Sequence, residues 1–504
     1  MSKKRSYPVK FLEENMKRLT AFAAALALSF GPAGAGYCAT TDDVMMAVDS
    51  MKRQMAQMQQ TISEQNAKIR ELEIRTAEAP SGPTISVPPT STGEMSDQDF
   101  QTKLKDNVGS VIPWLKGAKY GGDFRLRMEN FDYYNANDDA GSTGTAASRN
   151  RNRFRYRLRY GFEKDYGDDW KVGFRLATGS TTDQTSTNQT LGNTSHFNYD
   201  TIIIDRAYAT YSPTPMKDYG PLKGLTVGAG KFDNPFLRYS TPIVWDGDVT
   251  PEGLYEKATI EVYNTEENKL FFDAVLGQFI TNENTGTEQD AGLYGYQGAL
   301  RWTTYSFTPD TPVTLAVATS YYDYTNWNQT IGATNATTTS YLRTNTLLAD
   351  NFRVLDIYPE LQFTLFNTPT TVWYDYATNV ANVGTEDDLQ SLGNDIHDAD
   401  EAWGFGVKFG KPLKKGDWEI NWGYYEIGGN AVVAAFNDSD FGGPGQVGAT
   451  NRIGHKFGGS YLLTDSISLG WTGILVRPLH PSALVASSTN EDVFRSQLDL
   501  NFKF

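Results

Sequence analysis

The chain alternates apolar and polar residues at period two in segment after segment. Phe154, Tyr156, Leu158, Tyr160 and Phe162 interleave with Arg153, Arg155, Arg157 and Arg159. Upstream, Gly122, Phe124, Leu126 and Met128 interleave with Asp123, Arg125, Arg127 and Glu129. Downstream, Trp170, Val172, Phe174 and Leu176 interleave with Lys171, Gly173 and Arg175. Extended backbone places successive side chains on opposite faces, so each segment predicts a strand with one apolar and one polar face. After residue 30 no stretch approaches the ~18 consecutive apolar residues that a spanning helix needs.

In a soluble sandwich such an apolar face would meet a second sheet. The connections argue otherwise, because short turns alternate with long polar loops. The turns are residues 165–169, 264–268, 367–369 and 465–466; the loops are 179–200, 281–290, 327–351, 383–400, 428–450 and 478–492. That rhythm is the pattern of a transmembrane β-barrel, whose lipid-facing and inward residues alternate so that average hydropathy stays low. The mean hydropathy of -0.47 fits, as do 28 Tyr, 27 Phe and 10 Trp. The predicted fold is an all-β transmembrane barrel of about 16 antiparallel strands over residues 118–504, with both ends on the periplasmic side. A barrel of that size leaves a water-filled channel rather than a packed interior.

The residues before the barrel read as three segments. Residues 1–39 predict a secretory signal with an N-terminal extension. Met16-Lys17-Arg18 precede the apolar run 19–30, and Ala33-Gly34-Ala35 fit a cleavage site, with Ala39 as another. Tyr37 argues against lipid attachment at Cys38. Residues 40–77 predict a periplasmic coiled coil. Val44, Val48, Met51, Met55, Met58, Ile62, Ile69 and Leu72 keep four-three spacing, with Gln65 at the skipped core position. Such a helix would be about 45 Å long. Residues 78–117 carry Pro80, Pro83, Pro88 and Pro89, which predict a stiff linker followed by a short helix.

The last strand, residues 493–504, is the clearest. Phe494, Leu498, Leu500, Phe502 and Phe504 share one face; Arg495, Gln497, Asp499, Asn501 and Lys503 share the other. Phe502 and Phe504 are read as the signal for the outer-membrane barrel assembly machinery. The sequence resembles the putative porins of Gram-negative bacteria that carry an N-terminal coiled coil. The resemblance rests on Gly122-Asp123-Phe124-Arg125-Leu126-Arg127, the Arg151 to Arg159 ladder and Asp205-Arg206-Ala207-Tyr208. Gly230-Lys231-Phe232-Asp233-Asn234-Pro235-Phe236 and Trp245-Asp246-Gly247-Asp248 add to it. It implies a homotrimeric diffusion channel in the cell outer membrane, in contact with lipid and lipopolysaccharide, and it implies no particular solute.

A channel selects by width and wall charge. The predicted wall is Arg125, Arg127, Arg153, Arg155, Arg157, Arg159, Lys171 and Arg175, a density that attracts anions unless acidic partners neutralise it. Residues 232–252 are the candidate constriction loop. If they enter the barrel, Asp233, Asp246, Asp248 and Glu252 would face the basic ladder. Against an anion preference stand the acidic stretch 383–401 and a net charge of -15, which also speaks against nucleic-acid binding. His196, His397, His455 and His480 stand apart without metal-ligand spacing, and no catalytic set assembles. No metal or other cofactor is expected, and no enzyme. Two further readings stay open: a structural tether of the outer membrane, and a sheath for an electron-transfer cytochrome.

Overall fold

The computed structural model describes residues 117–134, 151–167, 169–193, 197–236, 241–284, 289–307, 311–327, 352–381, 400–442, 449–479 and 492–504. The predicted signal, coiled coil and linker lie outside these residues, except for Gly117. So do Cys38, His196, His397, His480 and nearly all of the acidic stretch 383–401.

Seventeen strands run β1 (Ala118–Tyr134), β2 (Arg151–Asp165), β3 (Trp170–Thr178), β4 (Gln189–Thr190), β5 (Ile202–Tyr211), β6 (Leu222–Lys231), β7 (Glu252–Asn264), β8 (Asn268–Asn282) and β9 (Ala291–Thr304), and then β10 (Val313–Thr325), β11 (Phe352–Leu365), β12 (Thr368–Asn379), β13 (Glu401–Gly410), β14 (Trp418–Ile427), β15 (Arg452–Leu462), β16 (Ile467–Pro478) and β17 (Asp492–Lys503). All but the two-residue β4 form the wall, which gives the expected sixteen. Neighbours pair antiparallel, and β17 returns to β1 in register from Asp123↔Lys503 to Tyr134↔Asp492. The sheet is therefore closed and has no free edge, as a barrel in lipid requires.

The predicted faces hold. Leu126, Met128, Phe154, Leu158, Leu176, Leu276 and Leu498 are exposed in the isolated chain, while Arg127, Glu129, Phe131 and Arg155 on the alternate positions are buried. An exposed apolar band belongs against lipid, so the buried polar set faces inward. The turns also fall where expected. Phe366 and Asn367 link β11 to β12 with φ of 49° and 59°, as a two-residue hairpin turn requires.

The interior is not empty. A buried apolar cluster joins Phe232, Phe236, Ile243, Val244, Trp245 and Val249 to the inward strand residues Phe279, Leu293, Tyr322 and Tyr324. Val432, Val433 and Phe441 also belong to it. Each fully buried large apolar side chain is worth about 1.5–3 kcal/mol, so two loops, after β6 and after β14, are folded inward rather than left in water.

Candidate functional site

The first inward loop, described over residues 232–236 and 241–251, follows β6. Its aromatic side chains grip the wall: Phe236 meets Tyr322 of β10 edge-on, with ring centroids 5.1 Å apart, and Phe279 of β8 at 5.9 Å. Inward Gly295 of β9 makes room, because a Cβ there would lie 2.2 Å from the Phe236 ring. Thr241 donates its hydroxyl to Asp375 of β12. At the other end, Asp248 accepts from Arg159 of β2 at 3.3 Å. Strands β2 and β12 lie on opposite sides of the closed wall. The loop therefore crosses the interior.

The second inward segment lies within the predicted long polar loop 179–200. Strand β3 pairs with β2 only from Arg159 to Asp165, and β4 pairs with β2 at Arg155 and Tyr156. Between β3 and β4 the chain leaves the wall, burying Thr185, Ser186 and Thr187. The backbone N–H and hydroxyl of Thr187 reach Asp248 at 3.4 and 3.3 Å.

The third, described over residues 428–442, lies within the predicted long polar loop 428–450. Residues 431–435 are buried, and a short helix α1 (Ser439–Gly442) brings Asp440 to the basic wall. Asp246 N–H donates to the Phe436 carbonyl at 2.6 Å, and Gln184 donates to the Ala435 carbonyl at 2.6 Å. The three segments thus brace one another. The signal available in the sequence was the run Ala431-Val432-Val433-Ala434-Ala435-Phe436, which is too apolar for a solvated loop.

The predicted wall residues sit on β1, β2 and β3, and β17 adds Arg495, which the sequence reading left out of the wall. Most carry a carboxylate partner. Arg127 makes a two-pronged pair with Asp499, both contacts 2.7 Å, and reaches Asp440 at 3.3 Å. Arg157 and Arg159 share Asp123 at 2.7 and 2.8 Å. Arg153 and Arg495 share the fully buried Glu129, which also accepts from Gln497 at 2.9 Å. Arg175 pairs with Asp205, and Lys171 with Glu163 at 3.2 Å. Arg125 and Arg155 differ: each meets its nearest carboxylate at 3.9 Å.

The four loop carboxylates do not act as a set. Asp248 alone meets the ladder. Asp246 is buried among the loops, where desolvation and the charges of Asp438 and Asp248 hold its carboxyl well above the usual range. Asp233 pairs with Arg206 at 2.9 Å and Glu252 with Lys231 at 2.7 Å, both largely exposed. Asp440 is opposite to Asp246. Burial works against its charge, but Arg495 and Arg127 hold its carboxyl well below the usual range. Lys171, Glu163, Arg206, Tyr208 and Asp233 line an open cavity of about 670 Å³ toward the turn end.

Phe502 and Phe504 occupy the seam. Gly122 and Phe504 exchange backbone hydrogen bonds at 2.9 and 3.2 Å, and Phe502 lies 6.1 Å from the ring of Phe124. His455, the one described histidine among the four, lies on β15 with its ring 5.0 Å from Tyr424 and 5.9 Å from Trp422. Among the described residues no cluster of three or more His, Cys, Asp or Glu is placed to hold a metal.

A closed antiparallel barrel with an apolar belt and a polar interior crossed by a loop defines an outer-membrane channel. The family described as "putative porin" matches residues 105–347 and 327–504; the chain belongs to that family and to the outer membrane. Among solved structures, Pseudomonas putida OprB at high pH is similar over 82% of this chain and 98% of that chain, at 11% identity and a TM-score of 0.46. Salmonella typhi OmpF in complex with daunomycin is similar over 77% of this chain and 98% of that chain, at 10% identity and a TM-score of 0.39. The outer membrane channel DcaP of Acinetobacter baumannii is 16% identical over 77% of this chain and 97% of that chain, with a TM-score of 0.36. A search of curated proteins found no match.

Proposed function

We propose that the protein is a passive diffusion channel for small hydrophilic solutes or ions, with the arginine-rich wall and the crossing loop forming its constriction. The observation that carries this reading is the reach of residues 241–248 from Asp375 on β12 to Arg159 on β2. A segment anchored on both sides of a closed barrel narrows the interior. The wall then acts by position and charge, with no covalent chemistry.

The assembly in this reading is a homotrimer in lipid and lipopolysaccharide, inserted by the barrel assembly machinery through Phe502 and Phe504. Residues 44–72 act as a periplasmic trimerisation stalk. Conductance of the purified chain across a planar bilayer tests the channel. Stable open steps in groups of three are expected; a protein that inserts and never conducts would sink the proposal. Deleting residues 44–72 weakens the trimer on mild gels, and an undiminished trimer counts against the stalk.

A further inference from the structure

The charges on the basic wall do not balance, and the imbalance has an address. Seven guanidinium groups converge there: Arg125, Arg127, Arg153, Arg155, Arg157, Arg159 and Arg495. Five carboxylates meet them: Asp123, Glu129, Asp248, Asp440 and Asp499. The close contacts use up all five. Asp499 is held by both prongs of Arg127, and Glu129 by Arg153, Arg495 and Gln497. Asp123 is shared by Arg157 and Arg159.

Beyond carboxylates at 3.9 Å that are already held by other arginines, the hydrogen-bond acceptors left to Arg125 and Arg155 are neutral. Arg125 donates to the Asn188 side-chain oxygen. Arg155 donates to the Ser186 hydroxyl at 3.3 Å and to the Asn188 carbonyl at 3.4 Å. Arg155 is 8% exposed, and the Nε–H groups of both residues are buried without a partner. Register brings them together. Arg125 faces Arg157 and Arg127 faces Arg155, so Arg125 and Arg155 are diagonal neighbours on the inner face. Two desolvated guanidinium groups with spare donors are costly unless something anionic completes them.

We propose that Arg125 and Arg155 form an anion subsite, capped by residues 186–188, that takes an oxyanion or carboxylate-bearing solute on its way through the constriction. This rests on the channel reading above and adds the solute class to it. The fork of each guanidinium suits a group with two or more acceptor oxygens. Ser186 and Asn188 act as placeholders. Their neutral oxygens satisfy the donors between solutes and are weak enough to be displaced, which keeps the subsite from trapping its ligand.

Inorganic phosphate is the probe. Calorimetric titration of the full chain in detergent does not need an open pore, so it separates this proposal from the channel reading. Saturable phosphate binding is expected. Arg155→Gln or Arg125→Gln should weaken it by about tenfold, the weight of one charge-assisted contact. Arg155→Lys keeps the charge without the fork and should fall between. Arg301→Gln removes an inward charge already paired with Asp273 at 3.2 Å and serves as the control for net charge.

Ser186→Ala and Asn188→Ala act in the other direction. They free donors without touching the wall, so they should tighten phosphate binding, and they guard against misfolding of the arginine variants. No saturable binding, or equal weakening by Arg301→Gln, overturns the subsite. In bilayers, phosphate should also inhibit chloride current saturably in the wild type and about tenfold less well in Arg155→Gln. A conducting channel that phosphate does not inhibit overturns the subsite and leaves the channel standing.

Discussion

Glu129 sits at 0% exposure with Arg153, Arg495 and Gln497 all donating to it. An exposed ion pair is worth at most about 1 kcal/mol, but removing one member of a buried set leaves charge stranded and costs about 3–5 kcal/mol. Glu129→Ala should therefore lower unfolding stability by about that larger amount, read by urea unfolding in detergent followed by tryptophan fluorescence. A loss of about 1 kcal/mol or less would mean water reaches the site. Asp246 responds to pH with the opposite sign from most carboxylates. Its carboxyl is held well above the usual range by burial and by Asp438 and Asp248, so the folded chain keeps this proton after the unfolded chain has lost it. Stability from this group is complete below the ordinary carboxylate value, about 3.9, and falls as pH rises from there through the raised value. The depressed Asp440 acts in a separate window, below the ordinary value. Asp246→Asn should flatten the fall in melting temperature with rising pH in near-ultraviolet circular dichroism. An unchanged slope would assign the fall to other groups.

Among the elements, the strands were legible and so was the candidacy of residues 232–252 as an inward loop; the other two inward segments were not. Period-two alternation places the faces of β1, β2, β3 and β17 without knowledge of their neighbours, and the turn at Asn367 follows from backbone preference alone. Whether Arg157 meets Asp123 or stays bare depends on the β1–β2 register, which pairs Asp123 with Arg159 and Arg125 with Arg157. No local pattern encodes that. The segments within 179–200 and 428–450 were missed for a related reason. Residues 179–188 are polar whether they face water or a polar wall, so composition cannot say which way they fold. Residues 431–436 did carry a signal in their apolar run. The seam between β1 and β17 has its own requirement. A Cβ on Gly122 would lie 2.0 Å from the Arg159 carbonyl oxygen and 3.0 Å from the Phe504 ring. Gly122→Val should hinder closure, and the folded fraction after refolding into detergent should drop, whereas Gly167→Ala, with nothing within 4 Å, should pay only for its φ of 79°. Equal folded fractions would place closure elsewhere.

At the scale of the whole molecule, one side of the barrel is built to hold charge and the other to hold a loop. The basic strands β1, β2 and β17 adjoin one another through the closing seam, while the loop's aromatic anchors lie on β8 and β10 and its far tether on β12. The net charge of -15 therefore says little about selectivity, because the field a solute meets is set by the few groups at the narrowest point. In the channel reading, the crossing loop controls both width and charge. Replacing residues 241–250 with a short glycine linker removes Asp248 and the buried Ile243, Val244, Trp245 and Val249 while leaving every wall strand intact. Unit conductance should rise severalfold, since resistance concentrates at the constriction. Anion preference should weaken in the same variant even though a carboxylate has been removed, because wall charges in a wide pore are screened within about 10 Å at 0.1 M salt. Single-channel recordings with a salt gradient read both quantities at once. Unchanged conductance would place the constriction elsewhere, and a preference for anions that grows would mean Asp248, not width, had been limiting it.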